Sequence, residues 1–572
     1  MEYIQNFVPL GDSVVISGLV ALIPIIVFLV LISKKMAAWK ASLVTLITTI
    51  VIAVFVYGMP AILPIMSATQ GALFGLIPIC WIILCSVFLY NLTVKTGKFE
   101  RIKGSIVSIT DDRRLQVLLI AFSFSAFLEG AAGFGAPVAI TAAILVGLGF
   151  DALKAASLCL IANTAAVAFG AVGSPIIALS GPTGIAAIDI SSTVGRILPI
   201  ISLIVPFYVI WVMSGFKKAV EILPAIMVSG FTFALSQVFA SNFIGPELVD
   251  IFAAVVSLAA LVAFLRVWKP KEIYRFAGDE KDEKVETVSV AGTIGIVPGG
   301  FSGKKKDNSG RDILAAWSPF IALMAMVVIW AIPSIKAALT GTYAGTNVIL
   351  KGLNSLGAFF TVAPEVPFLH NNMMSGDGTP IAASYGISFL ATPGTAILIA
   401  AIISKFLLKI SWEDWSATFW QTLKDLKFSL LTIMLVVAFA YVMNSSGMIT
   451  TIALLLAATG VLFPLFAPML GYLGGFVTGS CTSSNVLFGA LQQQTALSIG
   501  MNPTLAVGSN AVGASIGKVL SPQSLAVAAG ATGLTGEESS ILKIVLKHTL
   551  VLLFIASILV FLYANVLTFM IP

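Results

Sequence analysis

Ionisable side chains are scarce in this chain. Asp, Glu, Lys and Arg together make up 10% of its 572 residues, beside 2 histidines and 4 cysteines. His370 and His548 are too few and too far apart to build a ligand cluster. Cys80, Cys85, Cys159 and Cys481 all sit in apolar runs without zinc-like spacing, which argues against a disulfide scaffold and against a metal site. No GxxxxGK(S/T) loop is present, so nucleotide-driven work is not expected. No Ser, Cys or His stands in a pattern suited to catalysis, so no catalytic residue, metal or cofactor is assigned. The net charge of +6 lies mainly between apolar runs, where it reports orientation rather than nucleic-acid binding. The start of the chain lacks the basic stretch and small-residue cleavage site of a signal peptide. Its first apolar run is therefore expected to be a retained span.

What the chain has in abundance is apolar side chains. A hydrophobic content of 58% and a mean hydropathy of +1.03 place it in a lipid bilayer. Its apolar runs match the ~20 residues that cross one. Spans are expected near 13–33, 41–59, 69–94, 152–180, 197–214, 222–241, 248–265, 313–333, 380–404, 428–445, 503–531 and 548–570. Lys34, Lys35 and Lys40, then the basic loop from Lys95 to Arg114, then Lys217 and Lys218 mark cytoplasmic loops, which puts both termini outside. The polar insertion 266–312, holding DEKDEK and GKKK, is expected to be a cytoplasmic, partly disordered linker.

One stretch resists a continuous helix. Glu129 to Phe134 reads EGAAGF, and Gly130, Gly133, Gly135 and Pro137 bring permissive dihedrals and a missing N–H in quick succession. Unpaired backbone is costly in lipid, so irregular chain there must be buried in protein or line a cavity. Glu129 lies at this break, and a carboxyl inside the membrane is a functional-site candidate by default.

The pattern returns near the other end. Asn163, Gly170, Val172, Ser174 and Pro175 each lie 347 residues before Asn510, Gly517, Val519, Ser521 and Pro522. Phe127 and Gly130 align with Phe476 and Gly479 at an offset of 349. Duplication explains five spaced identities better than chance does. The first copy of the span before the break ends in KTGKFERI, the second in NSSGMITT, so the copies run in opposite directions. The fold class expected is an all-α polytopic membrane protein with two inverted repeats, about 12 full spans and 2 re-entrant hairpins. The first repeat covers 1–214, with hairpin 115–150 and broken span 152–180. Two linking spans fill 215–265, and the linker follows. The second repeat covers 313–572, with hairpin 461–497 and broken span 503–531.

Paired, interrupted segments of this kind point to a transporter site. Lys518 stands where the first repeat has Ala171, so a symmetric structural role does not explain it. It is a candidate for attracting an anionic substrate, with pairing to Glu129 or snorkelling to an interface as the structural alternatives. Asn163 and Asn510 read as points where spans unwind and offer amides to a ligand or to free backbone groups, with helix-to-helix hydrogen bonding as the structural alternative. Thr482, Ser483, Ser484 and Asn485 place hydroxyls and an amide at the second hairpin tip, and Ser521 adds another hydroxyl. Gly130 and Gly133 shape the first tip, where free N–H groups suit an anion.

FLEGAAGFGAPVAITAAILVGLGF at 127–150, NTAAVAFGAVGSP, SNFIGPEL at 241–248, TGSCTSSN at 478–485, GKVLSPQS at 517–524 and the final MIP together resemble the bacterial L-lactate permease family, which includes glycolate permeases. The resemblance covers nearly the whole chain, excepting the 277–310 linker and the outside loop at 340–378. It implies proton-coupled symport of lactate, glycolate and similar 2-hydroxymonocarboxylates across the bacterial inner membrane, by an elevator-type movement. The partners it implies are therefore a small anion, a proton and the lipid bilayer, with no nucleic acid. The oligomeric state stays open, a homodimer being one arrangement. One departure bears on coupling, because the family's run is TGSDTSSN and Cys481 stands in the aspartate's place. Glu129 and Cys481 are therefore the positions assigned to proton coupling, which here either rests on Glu129 or is altered; sodium coupling or exchange is the alternative. Ala166 and Ser174 depart too, where Pro and Ile are expected. An integral-membrane enzyme or a channel suits the broken inverted repeats less well.

Overall fold

The computed structural model of the chain describes residues 3–11, 13–34, 36–133, 135–276, 310–375 and 380–571. Phe134 and most of the expected linker, 277–309, lie outside the described residues. Helices dominate, as they must where lipid offers the backbone no hydrogen bonds.

In the first half, α1 (Val14–Ala21) and α2 (Ile23–Ser33) make one span and α3 (Ala38–Phe55) the next. α4 (Ile62–Phe74) and α5 (Trp81–Lys95) form a kinked third, and the short α6 (Lys98–Val107) buries Phe99, Ile102 and Ile106. The first hairpin pairs a helical stretch running from α7 (Arg113–Val117) through α8 (Ser125–Ala131) with α9 (Ala136–Gly147). A broken span follows, α10 (Ala152–Asn163) and α11 (Gly170–Thr183), bent by 62°. After α12 (Ala187–Ser214) and α13 (Phe216–Glu221) come the linking spans α14 (Leu223–Phe243) and α15 (Val249–Val267).

The second half holds α16 (Gly310–Ala331), α17 (Pro333–Leu339), α18 (Val348–Phe359), α19 (Pro393–Leu407), α20 (Trp412–Ser446) and α21 (Met448–Ala457). Its hairpin is α22 (Phe463–Thr478) with α23 (Cys481–Ser498). Its broken span is α24 (Pro503–Lys518) with α25 (Pro522–Thr532), and α26 (Glu538–Asn565) closes it. β1 (Tyr3–Ile4) pairs parallel with β3 (Met373–Met374), and β2 (Thr361–Val362) antiparallel with β4 (Ile387–Ser388).

The repeats pack with exchanged partners. α3 lies on α20 as α19 lies on α5, and α1 on α21 as α16 on α6. α12 lies on α24 as α26 on α10, and α11 on α23 as α25 on α9. Among the described residues, 11 helical stretches are long and apolar enough to cross a bilayer. Two of them, Arg113–Ala131 and Gly460–Thr478, are hairpin arms. Removing these two and adding the two broken spans and the short α19 gives the expected twelve. α14 and α15 have no counterpart in the other repeat. Apolar side chains gather into two large cores. One unites the first hairpin, both broken spans, α12, α15 and α26; the other unites α2, α3, α4, α20 and α21.

Several boundaries differ from expectation. The span expected at 380–404 is helical only from Pro393, because 380–388 is tied into bridges and β4. The span expected at 428–445 is part of a 35-residue helix, since Trp412 to Lys427 carries enough polar side chains to continue helically beyond the apolar stretch. The EGAAGF break also moves. Glu129 and Gly130 remain inside α8, and the chain leaves helical geometry only at Ala132. Asn510 is not an unwinding point either. It sits mid-way along α24, which runs on to Lys518. The glycines around it serve packing, because a Cβ at Gly513 or Gly517 would collide with the Pro468 or Tyr472 carbonyl of α22.

Candidate substrate site

Four interruptions in helical geometry converge on one cavity of about 110 Å³. At the first hairpin tip Gly133 and Gly135 take φ of 63° and 84°, a region glycine enters at little cost, and Pro137 follows within the first turn of α9. At the second tip Gly479 (φ 68°) ends α22, and the Ser480 hydroxyl accepts the Ser483 N–H at 3.1 Å to cap α23. In the first broken span Asn163 ends α10, and Ala171 and Val172 are held left-handed at φ 43° and 54°. Such a conformation is strained for a β-branched residue and persists only where the surroundings enforce it. In the second, Lys518 is the last residue of α24, and Ser521 caps α25 by accepting the Ser524 N–H at 3.1 Å. Ala38 of α3 and Ser429, Thr432 and Ile433 of α20 form the facing wall, so the cavity lies where the two cores meet.

One ion pair dominates this cavity. Lys518 Nζ lies 2.6 Å from Glu129 Oε1, with side chains 10% and 2% exposed. The other carboxylate oxygen, Oε2, accepts from Asn163 Nδ2 at 3.0 Å, and Ser125 Oγ donates to Asn163 Oδ1 at 3.4 Å. Gly170 leaves room for the carboxylate, since a Cβ there would approach Glu129 Oε1 to 2.7 Å. The pair joins the two repeats. By the sequence offsets, Glu129 corresponds to Thr478 and Lys518 to Ala171, so neither charge has a charged counterpart.

The structure brings six of the candidates together on the cavity wall: Glu129, Gly133, Cys481, Thr482, Ser483 and Lys518. The others stand behind it. Gly130 faces α15, where a Cβ would come within 2.8 Å of Asp250 Cβ. Asn163 orients Glu129. Ser484 Oγ donates to the Gly471 carbonyl at 3.0 Å. Asn485 Nδ2 donates to the Pro175 carbonyl at 2.9 Å, tying the second tip to the first broken span, while its Oδ1 accepts from Asn510 Nδ2 at 2.9 Å. Gln492 Nε2 donates to Asn510 Oδ1 at 2.8 Å, so both asparagines are engaged within the protein. Ser521 is buried and engaged as a helix cap.

Sequence reasoning overlooked Thr478, Ser480, Gln523 and Ser524, which also line the cavity. It also overlooked Asp250, which is 1% exposed on the first turn of α15. The signal was present in SNFIGPELVD, where two acids open an apolar span.

The arrangement suits a small anion. α9, α11, α23 and α25 all begin at the cavity, each bringing the partial positive charge of a helix N-terminus. Lys518 adds a full charge, and hydroxyls at Ser480, Thr482, Ser483 and Ser524 add further hydrogen bonds.

The family model described as L-lactate permease matches residues 17–567. The chain is similar to an L-lactate permease of Bacillus subtilis (strain 168), 55% identical over 573 residues and 100% of both chains. It is 45% identical to the glycolate permease GlcA of Escherichia coli (strain K12), over 99% of both. It is 43% identical to an L-lactate permease of that same strain, again over 99% of both. The motifs, the exchanged packing of the repeats and these end-to-end matches agree: the chain is a multi-pass membrane protein and belongs to the L-lactate permease family.

Proposed function

We propose that the chain is a secondary transporter, not an enzyme, that carries L-lactate, glycolate or a similar 2-hydroxymonocarboxylate together with a proton across the bacterial inner membrane. The observation that carries this reading is the Glu129–Lys518 pair on the wall of a cavity where four helices begin. In the empty site each charge answers the other. An entering carboxylate competes for Lys518 and leaves Glu129 buried without a counter-charge, which is costly. Protonation of Glu129 removes that cost, so the anion and the proton bind together. The substrate's 2-hydroxyl is within the chemistry of the Ser480–Ser483 tip.

Two cores meeting at the cavity support an elevator movement, in which the hairpins and broken spans shift against α3 and α20. Both termini face outward and 266–312 lies in the cytoplasm, on the distribution of Lys and Arg.

The test uses purified protein in proteoliposomes with labelled L-lactate and separately imposed pH and sodium gradients. Accumulation is expected to follow the pH gradient and to ignore sodium. Accumulation driven by sodium alone, or counterflow without any gradient-driven uptake, would replace proton symport with the alternative that Cys481 motivates. No lactate or glycolate movement at all would overturn the reading.

A further inference from the structure

Asp250 is a buried ionisable group that proton symport through Glu129 and Lys518 leaves unused. It opens α15, a span without a counterpart in the other repeat, and is 1% exposed. Neither carboxylate oxygen has a hydrogen-bond partner, so the group lacks what a buried charge needs. It packs against α8 at Gly130, the residue after Glu129, where a Cβ would come so close to Asp250 and Ile251 that it would not fit. Glu129 on α8 and Lys518 on α24 act on it electrostatically. α14, α11 and the stretch 118–124, which also pack on α15, contain no ionisable residue. Three residues before Asp250 stands Glu247, partly exposed. Its segment is clamped to the first broken span, since a Cβ at Gly173 would collide with the Pro246 carbonyl.

We propose that Glu247, Asp250 and Glu129 form a proton path that reaches the substrate site from behind, with Asp250 as its buried carrier. This rests on the proton-symport reading. In the empty site Asp250 holds a proton and Glu129 is ionised against Lys518. When substrate takes Lys518, the proton leaves Asp250 and bonds to Glu129. Asp250, now ionised, is reprotonated from the water side through Glu247. Each transfer breaks one O–H bond and forms one, and the net gain is one proton per anion. Carboxyl chains within membrane proteins serve this purpose where water cannot follow the substrate. Delivery from behind leaves the cavity free for the organic anion.

The experiment compares wild type, Asp250→Asn and Glu247→Gln in proteoliposomes. Labelled-lactate counterflow at equal pH on both sides reads exchange by the loaded carrier, and accumulation under a pH gradient reads proton delivery. Asp250→Asn is expected to keep counterflow within about twofold of wild type and to lose pH-driven accumulation at least tenfold. Glu247→Gln is expected to slow accumulation by less, because Glu247 is partly exposed where Asp250 is not. Wild-type accumulation by Asp250→Asn overturns the path while leaving proton symport standing. A wild-type protein that exchanges lactate but ignores the pH gradient overturns both. Should Asp250→Asn fail to fold, infrared spectroscopy of the wild type and Glu129→Gln decides. A protonated-carboxyl band present in both proteins at neutral pH, and altered by lactate in the wild type, supports the path. Its absence from the wild type overturns the path.

Discussion

Lys518→Ala takes one member out of a pair whose side chains are 10% and 2% exposed. Breaking a buried pair from one side costs about 3–5 kcal/mol while the remaining partner stays charged. Removing both charges strands neither, so Lys518→Ala combined with Glu129→Gln should recover most of that loss. Binding responds separately. A charge-assisted hydrogen bond to a substrate carboxylate contributes about 1.5–3 kcal/mol. With tenfold in Kd for every ~1.4 kcal/mol, Lys518→Ala should bind L-lactate roughly tenfold to hundredfold more weakly. Thermal unfolding in detergent of wild type, both single variants and the double variant reads the first effect. Isothermal titration with L-lactate reads the second. The double variant should unfold close to wild type and yet bind as poorly as Lys518→Ala. Wild-type affinity in Lys518→Ala would remove this lysine from the substrate site. A double variant no more stable than the weaker single variant would show that the pair is not energetically coupled.

Glu129→Gln frees Lys518 of its carboxylate partner and takes away the proposed proton acceptor, so counterflow of labelled lactate should persist while pH-driven accumulation disappears. Full accumulation by that variant would send the proton by another route. Cys481→Asp places a carboxylate on the cavity wall near Lys518 and should leave transport intact with a displaced pH profile. An unchanged profile would exclude position 481 from coupling. Gly513→Ala forces a methyl against the Pro468 carbonyl, and overpacking of this kind costs about 1–3 kcal/mol. Its unfolding temperature should drop with little change in lactate affinity, and undiminished stability would mean that α22 and α24 can separate freely. A cysteine introduced near Glu280 should resist an impermeant reagent added outside intact cells; efficient labelling there would reverse the proposed orientation.

The bilayer class, the duplicated halves and the approximate places of the breaks were legible because each leaves a local mark. Lipid demands long apolar runs, repeats preserve spacing, and breaks collect glycine and proline. The position of each break was less legible. Gly130, Gly513 and Gly517 look in sequence like chain-breakers, yet all three are helical and allow another element to approach closely. A glycine that permits a turn and one that admits a neighbour have the same letter, and only the neighbour distinguishes them. The polar candidates divided in a similar way. Thr482 and Ser483 reach the cavity, whereas Ser484 and Asn485, next along the same helix, turn away to hold α22 and α11. Helical periodicity separates adjacent residues, but sequence does not say which face meets the cavity.

By itself the sequence determined that this is a membrane protein of two inverted halves, that Glu129 and Lys518 stand without symmetric counterparts, and that the family is that of the lactate permeases. Tertiary structure alone decided that Glu129 and Lys518, 389 residues apart, meet at 2.6 Å. It alone packed Asp250 against α8 at Gly130 without a hydrogen-bond partner. The reason is that charge pairing inside a membrane depends on which helices pack together. Hydropathy and spacing report how each helix meets lipid, whereas its partners are chosen by the shape and polarity of surfaces distant in sequence.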